Sequence, residues 1–244
     1  MTTDDALGYP RERLHGRLVR ELGLRIVSGA LAPGALLPTE ESLVGELSSS
    51  RSAVREAIKV LAGKGLVVTR TRVGTTVQDE TRWNLMDPDI LAWRYQGDPT
   101  SGQLDDLAGF RVALEPEAAR LAALARDRRA VTRIRESYER MAAALNDTDE
   151  FIACDLEFHR AVVEVGGNQL LIHLNQVMSV ALAAARQVHT RDLRRNSRTL
   201  PAHLAVLEAI ETRDPDQAAA LMRALVRSAQ HDVRRARHPL DAVS

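Results

Sequence analysis

Along most of this chain apolar residues recur every three or four positions; the pattern is interrupted only by a short alternating stretch. Leu14, Leu18, Leu22 and Ile26 are spaced by four and predict a helix over residues 11–28, followed by a turn from Gly29 to Gly34. Thr39 is placed to cap a second, short helix whose first turn carries Glu40 and Glu41, where the helix dipole favours anions. Ser48-Ser49-Ser50 breaks that helix and supplies a cap for a third. In the third helix Val54, Ala57, Ile58 and Leu61 share one face, and Arg51, Ser52, Arg55 and Lys59 share the other. Gly63-Lys64-Gly65 ends it, because glycine accepts the left-handed cap conformation. Leu66–Arg70 and Val73–Val77 then read as a β-hairpin whose turn carries Arg70 and Arg72. Helix, turn, helix and basic hairpin in this order predict a winged helix-turn-helix. Its third helix can enter a major groove while the hairpin arginines reach the backbone or minor groove.

The rest of the chain keeps the helical period. Gln78–Arg82 is polar and reads as a linker, and Trp83–Trp93, with both tryptophans, reads as its anchor on a second domain. From Ser101 to Arg237 the chain is rich in Ala, Leu, Arg and Glu, without strand-like alternation. Breaks near Asp127, Asn146–Asp149, Gly166-Gly167-Asn168, Asn196-Ser197 and Asp214-Pro215 divide it into about six helices, enough for an antiparallel bundle. The expected fold is mainly α. A DNA-binding domain covers 10–78, a linker 79–100 and a helical domain 101–238, with residues 1–9 disordered.

Composition narrows this little. The formal net charge is zero, and residues 1–78 hold eleven Lys/Arg against eight Asp/Glu, so DNA binding rests on where the arginines sit. One cysteine, Cys154, excludes an internal disulfide framework and fits a reducing cytoplasm. The acidic, polar N-terminus is unlike a signal peptide, and no apolar run approaches the roughly 20 residues that span a bilayer. A cytoplasmic protein without membrane contact is expected.

The helical region becomes informative where polar residues interrupt apolar stripes. Asp155 and His159, four apart, lie on the stripe of Ile152, Leu156, Val162 and Val163. His203 lies on that of Leu200, Leu204, Leu207 and Ile210, and Arg111 on that of Leu104, Leu107, Leu114, Ala118 and Leu121. Inward-facing polar groups need partners. A carboxylate and two imidazoles suit a divalent metal such as zinc with an open coordination position, and an arginine suits a ligand carboxylate. The spacing is equally compatible with an Asp–His hydrogen bond and a structural core histidine. Gly166-Gly167-Asn168 lacks the lysine and preceding strand of a phosphate loop and reads as a helix stop followed by a cap. Arg223, Arg227, Arg234, Arg235 and Arg237 read as a solvated face and basic tail.

Residues 12–77 resemble the DNA-binding domain of the GntR family of bacterial transcription regulators. The phrases are Pro33-Gly34-x2-Leu37-Pro38-Thr39-Glu40, Ser50-Arg51-x3-Arg55-Glu56-Ala57 and Leu61-x3-Gly65-Leu66-Val67. The resemblance implies DNA contacts from Ser50, Arg51, Ser52, Arg55 and the wing around Gly74. Glu41 departs from it: many members carry an arginine there that contacts DNA, whereas a carboxylate repels phosphate. Residues 101–237 resemble the helical FCD effector domain of the FadR-type branch, through Phe110-Arg111-x2-Leu114-Glu115-Pro116, Asp155-x2-Phe158-His159-x7-Gly167-Asn168 and His203-x3-Leu207-x2-Ile210. Many members bind zinc or another divalent ion, nickel and manganese included, through one Asp and three His. Asp155, His159 and His203 match, while Leu225 stands where the remaining His is expected. Two outcomes stay open: a metal held by three protein ligands, as in galactonate-repressor-like members, or an empty site, as in fatty-acyl-responsive ones. The first is favoured because the latter do not keep the Asp/His set. The Trp83-Asn84-x2-Asp87-x-Asp89-x-Leu91 phrase is similar to that of sugar-acid regulators.

The resemblance implies a homodimeric repressor on a two-fold symmetric double-stranded operator, released by a small carboxylate or sugar acid that pairs with Arg111. A metal-free acyl- or dicarboxylate-responsive regulator is the alternative. A metal-dependent hydrolase is a weaker one: the chain has no His-Glu-x2-His, and its candidate base, Glu157, sits on a different side of the helix from Asp155.

Overall fold

The computed structural model describes residues 14–96, 99–189 and 193–237, with side chains for 16–96, 99–185 and 196–231. The disorder expected for residues 1–9, the side chain of Leu14 and those of Arg234, Arg235 and Arg237 lie outside the described residues. The chain forms two compact units that divide after Gln96.

In the N-terminal unit, α1 (Leu14–Val27), α2 (Glu40–Glu46) and α3 (Arg51–Gly63) are followed by an antiparallel hairpin, β1 (Val67–Arg70) and β2 (Gly74–Val77). The caps are those the sequence predicts. Thr39 Oγ1 accepts from Ser42 N at 3.2 Å, and Ser50 Oγ accepts from Ala53 N at 3.2 Å. Each satisfies a backbone donor that the first turn of a helix leaves open. Leu18, Leu22 and Ile26 of α1, Leu43 of α2, and Val54, Ala57 and Leu61 of α3 bury their apolar faces in one core. Gly65 follows α3 at φ 79°, and a side chain there would overlap the Arg82 carbonyl, so two independent constraints select glycine. Arg70 pairs with Gly74 across the hairpin, leaving a three-residue tip in which Arg72 takes φ 65°.

The segment after the hairpin departs from the expected linker. Gln78 donates through Nε2 to the carbonyls of Gly65 and Val67, and Glu80–Arg82 form a 3₁₀ turn. Asp87 caps α4 (Pro88–Tyr95), which packs on α1. Both tryptophans belong to the N-terminal core. Trp83 donates from Nε1 to Gln78 O at 3.0 Å, and the Trp93 ring covers Gly23. The reason is chemical: Lys64, at the end of α3, lies 2.7 Å from carboxylate oxygens of both Asp87 and Asp89, which draws the segment back onto the helix-turn-helix.

The second unit comprises α5 (Ser101–Leu124), α6 (Arg128–Ala143), α7 (Thr148–Val165), α8 (Gln169–His189), α9 (Leu193–Glu211) and α10 (Pro215–Arg237). Thr100 and Gln103 open α5 with a reciprocal capping box. The helices enclose a core that includes Ile134, Met141, Phe158, Leu207, Ile210 and Met222. Gly167, at φ 71°, ends α7, and Asn168 Oδ1 accepts from the backbone of Leu170 and Leu171, so the Gly-Gly-Asn stretch is a stop and a cap. Asn196-Ser197, expected to be a break, lie inside α9. Asn196 is fully buried and its Nδ2 reaches Leu145 O at 3.5 Å, so tertiary burial overrides its weak helix propensity.

Candidate functional sites

Within the helical unit the predicted polar residues converge. Arg111 comes from α5, Asp155 and His159 from α7, and His203 from α9; all are buried. Asp155, His159 and His203 each offer a ligand atom, and these atoms lie within 4.8 Å of one another.

The donor set fits a divalent metal. His203 Nδ1 lies 2.9 Å from Thr199 O, a contact that requires Nδ1 to carry the proton. Its Nε2 lies 3.1 Å from Asp155 Oδ1. His159 Nε2 lies 3.9 Å from Asp155 Oδ2. A hydrogen-bonded imidazole nitrogen opposite a ligating one is the arrangement metal-binding histidines use. Burial holds His159 below its ordinary pKa of 6.5, where Glu115 opposes and Arg111 reinforces the shift, so the neutral ligating form is favoured. Leu225 is buried among apolar side chains and can supply no ligand.

Glu115 is the residue sequence reasoning missed. It is almost completely buried and forms a bidentate pair with Arg111, at 2.5 Å from Nε and 3.2 Å from Nη2. Its Oε2 also lies 2.8 Å from His159 Nδ1. Burial alone would raise the Glu115 pKa, but the charge of the adjoining Arg111 guanidinium outweighs it and keeps the carboxyl ionised. The available signal was an opposite charge four residues beyond an arginine on an apolar stripe.

Arg111 and His159 also line a cavity of 220 Å³, whose walls include Leu156, Arg160, Asn175, Ser179 and Leu182. Asn175 and Ser179, one turn apart on α8, were not singled out by the sequence pattern. Their polar groups, among lining residues that include leucines, alanines and the charged Glu157 and Arg160, can hydrogen-bond the hydroxyl groups of a ligand.

On the N-terminal unit, Arg51, Ser52, Arg55, Arg70, Arg72 and Gly74 are exposed, and Ser50 caps the helix that carries the first three. Arg55 Nε contacts Glu40 at 2.7 Å, and Arg51 lies 3.9 Å from Glu41. The arginines expected to meet phosphate therefore have carboxylates of α2 beside them.

Comparison with known proteins places both units. Residues 14–77 match the family of bacterial regulatory proteins, gntR family, and residues 106–228 match the FCD domain. The chain is a GntR-family transcription regulator with an FCD domain. It is 32% identical to the uncharacterized HTH-type transcriptional regulator YieP of Escherichia coli K12, over 86% of this chain and 91% of that protein. It is 30% identical to the galactonate operon transcriptional repressor of the same organism, over 83% and 89% of the two chains. Lar of Listeria monocytogenes shares the fold, with a TM-score of 0.64 at 16% identity over 92% of this chain and 98% of that one. These families and relatives are transcription regulators, not enzymes, and GntR regulators act on DNA operators. No helix among the described residues is long and apolar enough to cross a membrane.

Proposed function

We propose that this GntR regulator is a cytoplasmic, homodimeric repressor of a carboxylate or sugar-acid catabolic operon, released by a small hydroxy acid. The observation that carries the effector part is the cluster of Asp155, His159 and His203, of which His159, together with Arg111, lines a small cavity. Similarity to the galactonate operon repressor supports the sugar-acid class.

In this reading Asp155, His159 and His203 hold a divalent ion, with zinc first and nickel or manganese as alternatives. Such an ion would supply a Lewis-acidic position for carboxylate or hydroxyl oxygens. Arg111 orients the carboxylate: its pairing with Glu115 runs through Nε and Nη2, and Nη1 adds two further N–H donors on the same plane. Asn175 and Ser179 accept or donate to ligand hydroxyls, while Leu156 and Leu182 limit ligand size. Ser50, Arg51, Ser52, Arg55, Arg70, Arg72 and the Gly74 backbone contact the operator, with α3 in the major groove. An effector switches the protein only by binding its DNA-competent and released arrangements with different affinity.

The test has two parts. Protein purified without chelator is expected to carry near-stoichiometric metal that is lost in Asp155→Ala, His159→Ala. In gel-shift titrations with sugar acids, Arg111→Ala is expected to bind DNA but resist release; equal release of variant and wild type would sink that role. Arg111, Glu115, His159, Asp155 and His203 also contact one another directly, which favours a metal-free acyl- or dicarboxylate-responsive regulator as the second reading. Metal-free wild type after supply of zinc, nickel and manganese would select it.

A further inference from the structure

We infer that Glu115 and Arg111 are positioning residues that act on His159 in opposite directions, Glu115 preparing it for a metal and Arg111 occupying the lone pair a metal needs. This rests on the metal reading above.

A guanidinium carries donors and no acceptor. In the 3.1 Å contact between Arg111 Nη2 and His159 Nε2, the arginine must therefore donate and Nε2 must accept. The proton of the neutral ring is then on Nδ1, the nitrogen 2.8 Å from the Glu115 carboxylate. The Glu115 charge beside Nδ1 favours the tautomer whose Nε2 is unprotonated, and Nε2 is the atom on the Asp155 side. A carboxylate behind a histidine also makes the ring a stronger donor to a metal.

His159 has one lone pair on Nε2. It can accept from Arg111 or coordinate an ion, and not both. Arg111 stays attached to Glu115 through Nε at 2.5 Å, so it can give up His159 without leaving the buried cluster. The N–H released in this way needs another acceptor, because an unpaired donor is costly in a buried site. Arg111 lines the cavity, so a ligand carboxylate entering there can restore that acceptor. Metal and ligand would then favour each other's binding by one common factor.

The test uses full-length protein stripped by chelator and titrated with cobalt(II), read by visible absorption, with circular dichroism as the check on folding. Glu115→Gln is expected to weaken cobalt binding by about tenfold or more. Arg111→Lys keeps the charge but not the planar fork, and is expected to tighten it by about tenfold. A merely structural role for the pair would weaken binding in both variants, and that result overturns the proposal, as does an unchanged affinity in either. A second measurement needs no variant. Long-range ¹H–¹⁵N spectra of metal-free wild type are expected to show His159 protonated at Nδ1, and an Nε2–H tautomer would overturn the proposal. If wild type takes up no cobalt, or Asp155→Ala takes it up equally, the metal reading itself has failed, and the inference with it.

Discussion

The indole of Trp93 covers Gly23 so closely that a β-carbon on the glycine would overlap the six-membered ring. Two helices distant in sequence, α1 and α4, meet at this point within the N-terminal core. Gly23→Ala must displace a buried indole from a packed core, and overpacking of this kind costs about 1–3 kcal/mol. Both tryptophans of the chain sit in this unit, so denaturation followed by tryptophan fluorescence reports on it alone. A lower midpoint with unchanged slope is the expected result.

Lys64 binds the end of α3 to α4 through Asp87 and Asp89. Burial lowers its pKa, but the hydrogen bonds it donates to the two carboxylates outweigh this, and the folded value lies above the ordinary 10.5. The folded state therefore holds the proton more tightly than the unfolded state. Its contribution is complete below pH 10.5 and declines as pH rises from there through the folded value. Stability measured from pH 9 upwards by the same fluorescence is expected to fall more steeply in wild type than in Lys64→Met.

Residues 79–96 supply Ile90, Trp93 and the carboxylates that meet Lys64, so their removal is expected to unfold the N-terminal unit. A fragment ending at Gln96 is expected to melt cooperatively and retain duplex binding. One ending at Arg82 is expected to lose both, as read by circular dichroism and fluorescence anisotropy.

Carboxylates of α2 beside Arg51 and Arg55 make the charge balance of the proposed operator-contacting face adjustable. Arg51→Ala is expected to weaken binding to duplex DNA and reduce the slope of log affinity against log salt by about one. Glu41→Gln, which removes a repulsive charge, is expected to strengthen binding at low salt. No change in either anisotropy titration would exclude these side chains from the phosphate contact surface.

Local rules in the sequence determined much of this protein. The Thr39 and Ser50 caps, the apolar face of α3, Gly65 and the hairpin are each decided by residues close in the chain, so spacing and side-chain chemistry suffice to read them. The convergence of Asp155, His159 and His203 was legible because each interrupts an apolar stripe, and a resemblance tied the stripes together. Tertiary structure alone decided three things. Trp83 and Trp93 turned back onto the helix-turn-helix because Lys64 holds Asp87 and Asp89, a long-range ion pair that no local period encodes. Asn196 stayed helical because its burial site offers the Leu145 carbonyl. Glu115 became part of the candidate site because α5 and α7 bring it against His159, and the charge that keeps a buried carboxyl ionised comes first from Arg111. Periodicity says which side chains face inward. Only packing says which of them meet, because the energy of a buried charge depends on partners from other helices.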